Sequence, residues 1–258
     1  MTTRINTQTN SAERTVVTYA RLASLIIAIM VLAFGLTVGV LGAAINWPSS
    51  LQDPANKVLP LISQQRSAVN FGYSMFMLSS LLLIPLALLV RQILDPKHIS
   101  VLLANATIFG ILAALAKTIG IVRWFFVMPF LADSYNQASN GSASQDSITL
   151  IYSSFNAYFD KFGSDLGDLL FSGIWTAMLC LALLRLGSSL FPRWLSWSGL
   201  AVAALLIIGF GAVFGLPVEA LLSIATSLWA VWMVAFAIVL FRASLSNRAT
   251  RLKDLQQA

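Results

Sequence analysis

Residues 100–130 read SVLLANATIFGILAALAKTIGIVRWFFVMPF, an apolar run that carries two cations, Lys117 and Arg123. A helix of about 20 apolar residues crosses a bilayer, and this run is longer. Gly110, Ala113, Ala114, Lys117 and Gly120 recur at steps of three and four, so they share one helical face. A face of small residues is a packed face. Lys117 is therefore expected to point into a bundle. Arg123 lies about 120° round the same helix and beside Trp124, which predicts a side chain that snorkels to the membrane boundary.

The rest of the chain has the same character. It is 258 residues long, 58% hydrophobic and 10% charged, whereas a soluble domain carries about a quarter charged residues. Lipid is its solvent. The formal net charge of +6 sits mostly in loops and tails beside apolar runs, where it reports orientation and not nucleic-acid binding. The predicted class is all-α: a polytopic transmembrane bundle of six helices, with spans at about 22–45, 69–90, 100–126, 163–184, 195–214 and 220–241. Residues 1–18 are a polar tail, 19–241 one membrane domain and 242–258 a basic tail. Residues 46–68 read as a loop holding Pro48, Pro54 and Pro60, and 131–146 as a polar loop. Ile148, Ile151, Phe155, Tyr158, Phe159 and Phe162 predict an amphipathic helix lying in the outer interface before the fourth span. Pro85 predicts a kink in the second span.

With the N-terminus inside, the inner segments hold eleven cations (Arg4, Arg14, Arg21, Arg91, Lys97, Arg185, Arg193, Arg242, Arg248, Arg251 and Lys253). The outer segments hold three (Lys57, Arg66 and Lys161). That bias predicts an inner (plasma) membrane protein with both termini cytoplasmic. Gly35, Gly39 and Ala43 suggest a close helix contact, and Gly211 and Gly215 another. Trp47 and Trp124 outside, and Trp194 and Trp197 inside, read as interfacial anchors. Trp229 and Trp232 lie mid-span, where they either pack helices or line a pocket.

Several chemistries are excluded. The chain has one histidine, His98, in the polar turn from Asp95, and one cysteine, Cys180, in an apolar run. No metal, haem or triad site can be assembled from them, and there is no phosphate loop or G-x-S-x-G elbow. No cofactor is expected. What remains is a polar level in the outer half of the bundle. Lys117 is roughly 25 Å along its helix from Ser100. Asp165 and Asp168 enter the fourth span at that depth, three residues apart, and Asn70 and Tyr73 enter the second. Glu219 enters the sixth there, where it also suits a helix N-terminus.

Arg123-Trp124 leading to Pro129-Phe130-Leu131-Ala132, then residues 163–170, then Phe191-Pro192-Arg193-Trp194-Leu195, resemble a broad bacterial family of six-helix membrane proteins classed as a domain of unknown function. The resemblance implies that architecture and a bacterial origin. It assigns no activity and no functional residue.

Two readings of Lys117 with Asp165 or Asp168 stand side by side: an ion pair that fixes helix register, or part of a ligand or proton site. The leading functional expectation is binding or transport of a small anionic or lipid-like ligand. The candidate ligand residues are Lys117, Arg123, Asp165, Asp168, Asn70 and Tyr73. The alternatives are an accessory subunit bound to another membrane protein, and an intramembrane enzyme with Asp168 as general base toward a lipid-soluble substrate. No inverted repeat is visible, which weakens a transporter reading.

Overall fold

The computed structural model describes residues 2–94, 99–187, 191–216 and 219–245, with residues 2–14, 219, 220 and 222 as backbone alone. The turn at His98, Pro217, the side chain of Glu219 and the tail beyond residue 245 lie outside that description.

The described residues are helical and contain no strand. They form α1 (Thr2–Ile45), α2 (Ala55–Gln64), α3 (Arg66–Leu81), α4 (Leu83–Leu94), α5 (Ser100–Gln137) and α6 (Ala143–Asp160). A π-helical segment (Lys161–Phe171) leads directly into α7 (Ser172–Leu186), followed by α8 (Arg193–Gly209) and α9 (Glu219–Ala243). Six helical stretches are long and apolar enough to cross a membrane: Thr15–Ile45, Arg66–Leu94, Ser100–Gln137, Ala143–Leu186, Arg193–Phe214 and Ser223–Ala243. Each packs on its neighbours in sequence, and α9 returns to α1, so the spans close a ring. The Ser24 hydroxyl of α1 donates to Ala237 O of α9 at 3.1 Å across that closure.

Local rules account for the breaks. Pro85 has no N–H to give Leu81 O, and the helix breaks between α3 and α4 at Leu82. α1 stops at Ile45, with Asn46 in the left-handed conformation (φ 57°). Ser142 starts α6: its side chain accepts from Gln145 N–H at 3.2 Å, while Gln145 Oε1 accepts from Gly141 N–H at 2.9 Å.

Four elements differ from the sequence reading. The polar N-terminal residues continue α1 as helix from Thr2. The presumed loop at 46–68 contains α2, whose Ala55, Val58, Leu59 and Ile62 are buried at helical spacing. α5 runs to Gln137 through Pro129, because Met128, Leu131 and Ala132 are buried against neighbouring helices. In α6 the inward stripe is Ile148, Tyr152 and Asn156, whereas Ile151, Phe155 and Tyr158 are exposed.

Buried side chains fall into two apolar clusters. The larger unites all six spans, from Val16 to Ala243, around Trp175, Leu179, Trp232 and Phe236. The smaller joins the end of α1, α2, the start of α3, the second half of α5 and α6. Along α5 the larger cluster ends at Ala114 and the smaller begins at Ile121. Along α6–α7 the smaller ends at Tyr152 and the larger begins at Leu169. Between them lies a polar layer.

Candidate functional site

The layer is built where α5 meets the π-segment, and small residues let the two backbones touch. A Cβ on Gly120 would lie 2.7 Å from Gly163 Cα, and one on Gly167 would lie 2.8 Å from Lys117 Cγ. This contact sets Lys117 beside the carboxylates. The predicted packed face is observed: Gly110, Ala113, Ala114, Lys117 and Gly120 are all buried.

Lys117 Nζ reaches Asp168 Oδ1 at 2.7 Å. The Lys117 side chain is 8% exposed and that of Asp168 27%, so the pair is closed at the lysine and open at the acid. Lys117 Nζ also stands 4.9 Å from the centroid of the Trp229 ring. Trp229 in turn donates its indole N–H to Thr176 Oγ1 at 2.9 Å and meets Trp175 edge-on. Trp229 thus links the sixth span to the ion pair. Trp232 packs helices: it stacks on Phe236 and donates to Leu195 O at 2.9 Å.

Asp165 is separate. Lys161 Nζ approaches its buried Oδ2 at 2.9 Å, outside hydrogen-bond geometry. The reason is the π-turn. Hydrogen bonds of the i→i+5 kind put more residues in each turn, so positions 165 and 168 no longer share a face. Ser172 donates both its amide and its hydroxyl to Gly167 O, five residues back.

Arg123 forms the second centre. It is 4% exposed, not snorkelled, because α5 continues beyond it and α3 and α6 flank it. Asp160 stands at 3.7 Å from its Nη2, an ion pair longer than a direct hydrogen bond. Nη1 donates to Gly120 O at 3.3 Å, while Nε has no partner among the described residues. Trp124, expected at the boundary, is 1% exposed and stacks on Tyr73 at 4.4 Å. The guanidinium lies 5.5 Å from the same indole. Tyr73 is 1% exposed, and its hydroxyl has no partner among the described residues. Asn156 donates to Leu51 O at 2.7 Å, and Tyr152 to Asp53 O at 3.4 Å, tying α6 to the chain after α1.

Of the predicted residues, the layer collects Lys117, Arg123, Asp165, Asp168 and Tyr73. Asn70 is exposed on α3 and takes no part. Sequence reasoning missed Asp160 and the contact of Trp229 with Lys117. Asp160 sits between Phe159 and Phe162 of the predicted amphipathic helix and went unread, although Asp160, Asp165 and Asp168 form an acidic series through a segment with Gly163 and Gly167. The glycines of the expected helix contacts make no close contact among the described residues: a Cβ on Gly35 or Gly39 would meet nothing, one on Gly211 would meet Leu216 of its own turn, and Gly215 (φ 83°) is a turn residue.

Six apolar spans closed around a layer of paired charges define a multi-pass helical membrane protein. Its family is settled by sequence. A family model described as a domain of unknown function (DUF4386) matches residues 22–242, and the chain belongs to that family. No curated protein and no solved structure matches the chain significantly.

Proposed function

We propose that the polar layer is a binding or transport site for a small anionic or lipid-like ligand, on the outer side of an inner membrane protein whose termini are cytoplasmic. The observation that carries the reading is the arrangement of charge. Lys117 is buried between the two apolar clusters and Arg123 against the smaller one, while their partners Asp168 and Asp160 are 27% and 33% exposed. Ionisable groups at such depth are costly, and those that persist mark ligand or ion paths. The acids are where solvent or ligand enters, and the cations form the floor. The cation bias of the loops supports the orientation. It also puts α6 at the outer boundary, with exposed Leu150, Ile151, Phe155 and Tyr158 toward the interface.

The test is native mass spectrometry of the full chain, wild type beside Lys117→Met. A small anionic molecule or lipid lost from the variant supports the site with Lys117 as its cation, and one retained by both supports it with Arg123. Identical unliganded spectra from both remove it.

A second reading, an accessory subunit, is favoured by one observation: Gly35, Gly39 and Ala43 form an exposed small-residue face on α1. It requires co-purification with another membrane protein at fixed ratio. A monomer in mild detergent argues against it.

A further inference from the structure

The two buried cations of the layer are unequal, and the inequality identifies which of them meets the ligand. Lys117 is closely paired: Asp168 Oδ1 lies at 2.7 Å, and the Trp229 ring centroid stands 4.9 Å from its ammonium. A ligand anion would have to displace Asp168 from a contact of full hydrogen-bond length. Arg123 is not satisfied. A guanidinium carries five N–H donors. Here one is hydrogen-bonded, to Gly120 O, and the nearest carboxylate oxygen is 3.7 Å away. Nε–H and the Tyr73 hydroxyl, both buried, have no acceptor among the described residues. Tyr73 and Arg123 both rest on Trp124.

A buried donor left unsatisfied is costly, and more so beside a charge. Two such donors beside one indole call for an acceptor. The chemistry selects its class. Nε–H can only donate, and a hydroxyl beside a cation is held as a donor, so the complement is an oxygen acceptor with negative charge. Asp160 is built to yield. It is a third exposed and also accepts from Ser164 at 2.9 Å, so it stays solvated and bonded when another anion takes its place at Arg123.

We propose that Arg123 and Tyr73 form an oxyanion subsite, where a carboxylate or phosphate group accepts from Arg123 Nε–H and Tyr73 O–H after entering past Asp160. This deepens the function proposed above and rests on it. It assigns the anion to Arg123 and leaves Lys117 as the partner of Asp168.

The experiment uses the full chain in phosphatidylcholine nanodiscs and reads the melting temperature. In one arm inorganic phosphate or acetate is titrated; in the other, phosphatidylglycerol is doped into the discs. Stabilisation in the first arm identifies a free anion, and in the second a lipid headgroup. Tyr73→Phe and Arg123→Lys should each weaken the effective arm by about tenfold or more, as loss of a charge-assisted hydrogen bond does. Tyr73→Phe without ligand should melt as the wild type does, since its hydroxyl bonds to nothing among the described residues. Wild-type affinity in both variants overturns the subsite. So does a large drop in the ligand-free melting temperature of Tyr73→Phe, which makes the hydroxyl a structural group. If Lys117→Met alone abolishes binding, the subsite falls and the function proposed for the layer stands. If neither arm stabilises the wild type, both fall.

Discussion

Removing the two members of the central ion pair one at a time should have unequal effects, and the structure sets the order. Asp168→Asn leaves Lys117 as an uncompensated ammonium whose side chain is 8% exposed. Breaking a buried pair this way costs about 3–5 kcal/mol. The Trp229 ring stands beside the ammonium in wild type and variant alike, so it offsets none of this loss. Lys117→Met instead leaves the Asp168 carboxylate, which is 27% exposed and can hydrate. Its cost should be smaller by about 1–2 kcal/mol. In the double variant neither charge is stranded, so the two losses should not add, and a coupling of about 1–3 kcal/mol is expected. The assay is reversible unfolding in mixed micelles, followed by helicity, on wild type, both single variants and the double. Additive losses, or a larger loss from Lys117→Met than from Asp168→Asn, would refute the pairing and the burial asymmetry it rests on.

Other expectations follow from contacts within the same layer. Gly120→Ala would force a Cβ to 2.7 Å from Gly163 Cα, and Gly167→Ala to 2.9 Å from Lys117 N, so each should destabilise by about 1–3 kcal/mol in the same unfolding assay. Gly35→Ala meets nothing and should be neutral or slightly stabilising; a marked loss would show a contact on that face. Trp232→Phe keeps the stack on Phe236 and loses the bond to Leu195 O, for a cost of about 1 kcal/mol in thermal melting. Arg66→Ala removes an ion pair with Asp133 in which both side chains are nearly half exposed, and should change stability by at most about 1 kcal/mol.

Residues differ in how far their neighbours could be read in advance. Lys117 was legible because Gly110, Ala113, Ala114 and Gly120 carry the α-helical period that the helix keeps. Its acid was legible only as one of two. Asp165 and Asp168 share a face in an α-helix, and the π-turn, which no local pattern announced, sends them to different lysines. Arg123 was misplaced because it lies about 120° round from the packed face, beside Trp124, near the end of a span read as closing at 126. Burial of Met128, Leu131 and Ala132 carries α5 through Pro129 and encloses the guanidinium. Trp124 follows the same cause. α2 was hidden by three prolines, although Ala55, Val58, Leu59 and Ile62 hold a helical stripe. The contact of Trp229 with Lys117 spans helices far apart in sequence, and nothing local encodes it.

The most direct test of the central claim is a crystal structure of the full chain grown from a lipidic phase, read at the polar layer. The account predicts Lys117 on Asp168 and non-protein density larger than a water against Arg123 Nε and the Tyr73 hydroxyl. Arg123 closed directly on Asp160, with a water or nothing at the two donors, would contradict it.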